Sequence, residues 1–301
     1  MDQKLKLGLI GLDTSHVVAF TKLLNDPEDP YHVAGGTIVA GYPGGSADLE
    51  ASYQRVDGFT SELKDQYGVK IMDAPEEVAQ ACDALFITSV DGRVHYDLLK
   101  KVAPFGKPVF VDKPFTVRSD EAAYMFALAE QYRFPLMSCS ALRYSVALEE
   151  CLQEMAGEHI IGADTYGPMS LERTHPALYW YGIHSVEMLV AIMGKNCRQV
   201  TAFANTDHEL VVGEWENGRI GTVRGNRLGN QTFGGAIHSR KLTKHVDVYS
   251  RSKPYYASML ERIMHMFASG RSPIDREETL AIIRFIEAAN ESRESGKAVL
   301  L

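Results

Sequence analysis

Two side chains and one turn carry the chemistry legible in the sequence. Lys113 follows the apolar run Val109 to Val111, which places it at the carboxyl end of a strand, where open parallel sheets bind ligands. An ammonium there can hold an oxygen and stabilise negative charge developing on it. A lysine on an exposed loop is the plainer alternative. The Lys113-Pro114 bond can be cis, which would aim the side chain inward. His184 can accept or donate a proton near neutral pH; lying between Ile183 and Val186, it also reads as a core histidine. The turn Gly8-Leu9-Ile10-Gly11-Leu12-Asp13-Thr14-Ser15-His16 joins a strand to a helix. Such a helix start offers unpaired N–H groups and a positive dipole end to a phosphate.

That turn departs from the standard glycine fingerprint. Gly11 is in place, but Asp13 and His16 occupy the other two glycine positions. A carboxylate beside a pyrophosphate repels it unless protonated or paired. Thr14 and Ser15 still offer hydroxyls and N–H groups, and Asp13 also reads as the N-cap of the first helix. The loop after the second strand, Gly41-Tyr42-Pro43-Gly44-Gly45-Ser46-Ala47-Asp48, has no acid at the strand end to read a ribose hydroxyl, Asp48 being a distant candidate. No arginine close in sequence argues for a 2′-phosphate, so NAD and NADP stay unresolved.

The elements that must position these groups alternate in the first half. Strands are expected at Lys6 to Leu12, Thr37 to Ala40, Val69 to Met72, Ala84 to Ser89, Val109 to Val111 and Leu136 to Ser140. Helices are expected at Val17 to Asn25, Ser52 to Tyr67, Ala74 to Ala81, through Leu98 to Val102, and from Ser119 to Tyr132. Apolar strands alternating with helices mean a parallel sheet covered on both faces. In the second half, helices at Val146 to Ala156 and Gly182 to Met193 precede a β-type region from Gln199 to His238. There Asn217-Gly218 makes a favoured hairpin turn. Val246 to Tyr249 reads as a strand, and Tyr255 to Phe267 and Asp275 to Ser295 as the closing helices. The fold class is α/β: an N-terminal Rossmann doubly wound parallel sheet over 1–140, and a C-terminal α+β domain over 141–301 with an open, mostly antiparallel sheet.

Composition agrees with that division. A chain of 301 residues with 45% apolar content supports two cores. With 39 acidic against 31 basic residues the net charge is −8, which argues against a dominant nucleic-acid binder. No apolar run is long enough to span a membrane. Cys82, Cys139, Cys151 and Cys197 form no Cys-x-x-Cys pair and read as buried free thiols in a reducing compartment, so a cytoplasmic location is expected. No His/Cys/Asp/Glu cluster has metal-ligand spacing, so no metal is expected, and His208, His238, His245 and His265 show no partner pattern.

Four segments resemble the glucose–fructose oxidoreductase / inositol dehydrogenase / rhizopine-catabolism family. They are Cys82 to Ser89 followed by His95, Gly106 to Pro114 with its Asp112-Lys113-Pro114, Gly182 to Leu189 with its Gly-Ile-His, and Glu277 to Val299. The resemblance runs through nearly the whole chain in order. It implies hydride transfer between NAD or NADP and a hydroxyl carbon of a sugar, polyol or related molecule. It implies Lys113 and His184 as catalytic residues. Cofactor contacts would come from Gly11, Leu12, Asp13, Thr14, Ser15, His16, Tyr42, Ser89, His95 and Lys113. Substrate contacts would come from Arg143, Tyr144, His175, Tyr181 and His184. The family usually places an aspartate four residues before the histidine, but Trp180 stands there. His175, Tyr179 or Tyr181 could replace it, and Leu178-Tyr179-Trp180-Tyr181 could stack on a sugar face or serve as core. Two alternatives remain open: a non-redox sugar- or nucleotide-binding protein on the same fold, and a redox-neutral enzyme using tightly bound NAD. The strands Val200 to Ala204 and Val211 to Trp215 carry apolar residues on both registers, so a homodimer or homotetramer is expected.

Overall fold

The computed structural model describes residues 4–301. The chain divides into two compact units. The first comprises the chain to Thr116, Asp120–Cys139 and Tyr256–Arg276; the second comprises Val117–Ser119, Ser140–Tyr255 and Glu277–Leu301.

The first unit holds six strands: β1 (Leu5–Ile10), β2 (Gly36–Tyr42), β3 (Lys70–Ile71), β4 (Ala84–Ile87), β5 (Val109–Val111) and β6 (Leu136–Ser138). All pair in parallel, in the order β3-β2-β1-β4-β5-β6. This is the doubly wound order, in which chain reversal at β1 and β4 opens a crevice at the strand carboxyl ends. Central strands of such a sheet are covered on both faces, and Leu7, Leu9, Ile10, Leu85, Phe86 and Ile87 are accordingly fully buried. The helices are α1 (His16–Asn25), α2 (Glu50–Tyr53), α3 (Val56–Tyr67), α4 (Pro75–Ala81), α5 (His95–Val102) and α6 (Ser119–Tyr132). The sequence predicts one helix over 52–67; the structure breaks it into α2 and α3 at Gln54 and Arg55. Arg55 stays in the right-handed helical region (φ −116°, ψ −24°), and its guanidinium donates back to the Ala51 carbonyl at the break.

The second unit holds α7 (Val146–Glu154), α8 (Gly182–Met193) and a mixed sheet built from β7 (Ile160–Pro168), β8 (Cys197–Ala204), β9 (His208–Trp215), β10 (Ile220–Asn226), β11 (Gly234–Ser239), β12 (Thr243–Asp247) and β13 (Val299–Leu300). Its order is β12-β11-β7-β10-β9-β8-β13, with only β7 and β10 parallel. The Asn217-Gly218 hairpin joins β9 to β10, with Gly218 at φ +76°. Strand β7 goes unpredicted by the sequence reading, yet it sits at the centre of the sheet.

The closing helices are α9 (Tyr255–Ser269) and α10 (Arg276–Ser295). A linear division at residue 140 assigns α9 to the second unit. The structure returns it, from Tyr256 on, to the first. The reason is apolar packing: Phe267 meets Phe86 edge-on at 5.2 Å, and Tyr256 meets Phe20 at 5.6 Å. Helix α10 stays with the second unit, where Phe285 lies 6.3 Å from Trp215.

Among the described residues no helix is long and apolar enough to cross a membrane. All four cysteines are free; Cys82 and Cys139 are buried as expected, whereas Cys151 and Cys197 are half-buried.

Candidate active site

The turn between β1 and α1 is built around Gly11. Its φ is +92°, and a Cβ there would stand 2.2 Å from the Ser89 Oγ and 2.5 Å from the Ser89 backbone nitrogen. No other residue fits both the conformation and the space. Hydrogen bonds from Gly11 N to Tyr42 O (2.9 Å) and Leu12 N to Pro43 O (2.7 Å) lay the loop after β2 beside this turn. The Thr88 hydroxyl, which sequence reasoning passed over, donates to the Gly11 carbonyl at 2.7 Å.

Asp13 is wholly buried and turned inward. One carboxylate oxygen accepts the Val90 N–H at 2.8 Å and the other accepts the Ser52 hydroxyl at 2.5 Å. Ser52 in turn accepts the Ser46 N–H at 2.7 Å. Burial pushes the Asp13 carboxyl pKa up, against the hydrogen bonds from Ser52 and Val90 that lower it. Asp13 is therefore not the N-cap of α1, and its carboxylate does not face a pyrophosphate: it ties three loops together. The N-cap is Ser15, whose side chain makes no capping bond, and the first turn of α1 carries no acid. The Ser89 hydroxyl oxygen, buried against Gly11, finds no hydrogen-bond partner among the described residues. An uncapped helix start, a glycine that admits close approach and an unsatisfied buried hydroxyl fit an anionic dinucleotide held by the backbone of Leu12 to Ser15.

The second loop is fastened by charge. Arg93 donates to Asp48 at 2.8 and 2.9 Å and to Asp91 at 2.7 Å, and the Ser46 hydroxyl donates to Asp91 at 2.7 Å. The hydrogen bond and charge of Arg93 hold the Asp48 carboxyl below its ordinary range. Arg93 lies 45 residues from Asp48, so a reading of neighbours in sequence could not find this pair. Tyr42 is half-buried at the end of β2.

His95, expected as a cofactor contact, is held between two loops. It is fully buried, with Nε2 2.7 Å from the Ser89 carbonyl and Nδ1 2.8 Å from the Pro114 carbonyl. It thus spans the loops that follow β4 and β5.

The loop after β5 carries Asp112 and Lys113. His16 Nδ1 pairs with an Asp112 carboxylate oxygen, and the other oxygen accepts the Lys113 N–H at 2.8 Å. The His16 ring rests on Phe20 and Tyr256, at 5.5 and 5.0 Å. Burial works to raise the Asp112 carboxyl, but the charge and hydrogen bond of His16, with Lys113, outweigh it and hold it below the ordinary range. Lys113 moves the other way: burial lowers its pKa, Asp112 opposes the shift, and Arg55 adds to it. The Lys113-Pro114 peptide is cis. His16 is thus a partner of Asp112, a pairing across 96 residues that sequence could not show.

In the second unit, α8 presents His184. Its Nδ1 lies 2.7 Å from the Ser140 hydroxyl, which no sequence signal singled out. Around the ring stand Tyr181 at 6.0 Å and Phe233 at 5.4 Å. Trp180 lies between His175, at 5.2 Å, and Tyr181, at 6.5 Å. Tyr179 does not reach His184: it is buried with its hydroxyl on the Ile283 carbonyl at 3.3 Å, and burial pushes its pKa up. His175 is also buried, 3.0 Å from the Thr174 hydroxyl. Of the residues offered in place of the aspartate, Tyr181 stands beside the ring, while Nδ1 meets Ser140, which was not among them.

Arg143 and Tyr144, expected as substrate contacts, are held by protein partners. The Arg143 guanidinium donates to Glu187 at 2.7 Å and to Glu278, with its side chain only 11% exposed. Burial raises the Glu187 carboxyl, and Arg143 pulls it back. Tyr144 is buried beneath Arg143, 5.7 Å from it. His238 also finds a partner that the sequence hid, Asp164 at 2.8 Å. Among the described residues no group of three or more His, Cys, Asp or Glu side chains is placed to hold a metal ion.

The comparisons agree with this geometry. Residues 44–138 match the model of the oxidoreductase family with the NAD-binding Rossmann fold. This stretch of the chain is similar to that family, the one its Asp112-Lys113-Pro114 segment resembles. No curated protein matches the chain. Among solved structures, it is similar to myo-inositol 2-dehydrogenase from Lactobacillus plantarum, with 12% identity, 99% of this chain and 100% of that chain covered, and a TM-score of 0.81. It is similar to scyllo-inositol dehydrogenase from Lactobacillus casei at 14% identity, covering 100% and 99%, with a TM-score of 0.80. It is also similar to an oxidoreductase from Agrobacterium radiobacter in complex with NAD+, L-tartaric acid and magnesium, at 18% identity, covering 99% and 98%, with a TM-score of 0.76. At such identities these likenesses are likenesses of fold.

Proposed function

We propose that this protein is a nicotinamide-dependent oxidoreductase acting on a hydroxyl-bearing carbon of a sugar, polyol or related small molecule. The observation that carries this reading is Lys113. It stands at the carboxyl end of β5, in a sheet whose sequence is similar to an NAD-binding family, with its amine pushed toward the neutral form and Asp112 and His16 behind it. The inositol dehydrogenases and the tartrate complex of similar fold favour a substrate dense in hydroxyl groups.

A bound nicotinamide dinucleotide supplies the hydride acceptor or donor. The backbone of Gly11 to Ser15 would hold its pyrophosphate, and Ser89 would lie beside it. A hydroxyl carbon can release hydride only as its O–H proton departs. The neutral Lys113 amine takes that proton, and the ammonium returns it in the reverse direction while stabilising charge on the oxygen. Asp112 fixes the backbone from which Lys113 projects. In the second unit, His184 offers a hydrogen bond to a substrate oxygen, and Trp180, Tyr181 and Phe233 offer ring faces to sugar C–H groups.

Fluorescence titration with NADH and with NADPH tests the reading and separates the two cofactors. Saturable binding of one, followed by its turnover against a panel of inositols and aldoses, is the expected result. Absence of binding to either, with thermal stabilisation by a sugar alone, would replace it with a binding protein on the same fold.

A further inference from the structure

Ser140 is the N-cap of the short turn Ala141–Tyr144 and is wholly buried. Its hydroxyl can give one hydrogen bond and accept two. One acceptance is fixed, because the Leu142 N–H donates to Ser140 Oγ at 3.2 Å. The other contact of Oγ is His184 Nδ1 at 2.7 Å. A backbone N–H cannot accept, so Nδ1 is the acceptor within reach of the hydroxyl proton. With a proton on Nδ1 instead, two N–H groups would both point at Oγ. The hydroxyl proton would then be buried without a partner, which is unfavourable.

We propose that Ser140 donates to Nδ1 of His184 and thereby fixes the neutral ring with its proton on Nε2. Ser140 is a positioning residue that acts through the histidine. Its Oγ accepts the Leu142 N–H of the turn it caps, and Glu187 lies one turn beyond His184 on α8. Glu187 is held by Arg143, which sits in the turn that Ser140 caps. The consequence is chemical. A neutral His184 presents an N–H donor at Nε2, not a lone pair. It can polarise a carbonyl that is being reduced, and it takes no proton from an alcohol that is being oxidised. This last consequence rests on the function proposed above, whereas the tautomer itself does not.

The test is nitrogen-15 NMR of ligand-free protein labelled at histidine, recorded above the titration midpoint of the ring, with His184 assigned by its loss in H184F. The expected spectrum shows Nδ1 at an unprotonated, pyridine-type shift and Nε2 at a protonated, pyrrole-type shift. Ser140→Ala should move both shifts toward the average of the two tautomers, and Ser140→Thr, which keeps the hydroxyl, should restore them. A proton on Nδ1 in the unaltered protein, or S140A shifts identical to it, overturns the assignment. No nicotinamide enters the measurement, so a failure to bind NADH or NADPH would sink the proposed function and leave this result standing.

Discussion

A lysine ammonium ordinarily keeps its proton far above neutral pH, and burial is what moves Lys113 off that state. Because its folded pKa lies below 10.5, the unfolded chain binds more protons between the folded value and 10.5, and stability rises with pH across that window. Activity follows the same proton. For alcohol oxidation kcat/KM should climb with pH and level off, with an inflection below 10.5 set by the amine. Lys113→Ala should lose about 10²–10⁴ in kcat while unfolding normally, and Lys113→Arg, which keeps charge but cannot deprotonate, should not recover it. A pH–rate profile checks this, and an inflection that survives in K113A would remove Lys113 from the base role. Arg143 poses the opposite case, a charge whose work is structural. Glu187 is 2% exposed, so Arg143→Ala leaves a buried carboxylate without its main partner. The expected loss is about 3–5 kcal/mol in denaturant unfolding, with part of it returned by adding Glu187→Gln.

At the scale of elements, α9 decides whether the first unit stands alone. A fragment of residues 1–140 lacks Phe267 and Met264, whose side chains lie against Phe86 and the Gly36 backbone. Burial of two such side chains is worth roughly 3–6 kcal/mol, against a typical domain stability of ~5–15 kcal/mol. The fragment should therefore bind an apolar dye and unfold without cooperativity, and appending 256–276 through a flexible linker should restore a sharp transition by circular dichroism. A cooperative 1–140 fragment would show that α9 is dispensable. The same element shows what the sequence could reveal. Periodicity marks α9 as a helix but holds no information on which unit its apolar face meets. Where one element's own pattern suffices, as in Val109–Val111 or Gly182–Met193, the predicted and observed bounds coincide. Strand β7 was illegible because Gly162, Asp164, Gly167 and Pro168 do not read as a strand. Gly162 is small because a Cβ there would lie 2.7 Å from the Ile220 carbonyl oxygen, a neighbour only the fold supplies. The site divides in the same way. Gly11, Lys113 and His184 announce themselves by type and position, but Ser89 reaches Gly11 from the loop after β4, Ser140 lies 44 residues from His184, and His16 lies 96 residues from the Asp112 beside Lys113.

At the scale of the whole molecule, the second unit's sheet carries a face that its own helices do not cover. Tyr166, Arg224, Leu210 and Phe203 stand in register across β7, β10, β9 and β8. Phe203 is 61% exposed, Ile220 55% and Tyr166 40%. We propose a second copy of the chain as its occupant, because a two-fold contact needs only one self-complementary patch. Apolar side chains interspersed with Arg224, Glu214 and the Asp164–His238 pair provide both the adhesive and the polar groups of such a contact. Light scattering should then give a mass that is a multiple of 33.4 kDa, and Phe203→Glu with Ile220→Glu should reduce it to one chain. Salt separates this contact from one made by ion pairs. Each copy carries a net charge of −8, so the copies repel at long range. Raising the salt from about 0.01 to 0.15 M shortens the screening length from ~30 to ~8 Å and relieves that repulsion. Association through an apolar face should tighten over this range, and weakening with salt, or a single-chain mass at micromolar concentration, would rule the face out as the contact.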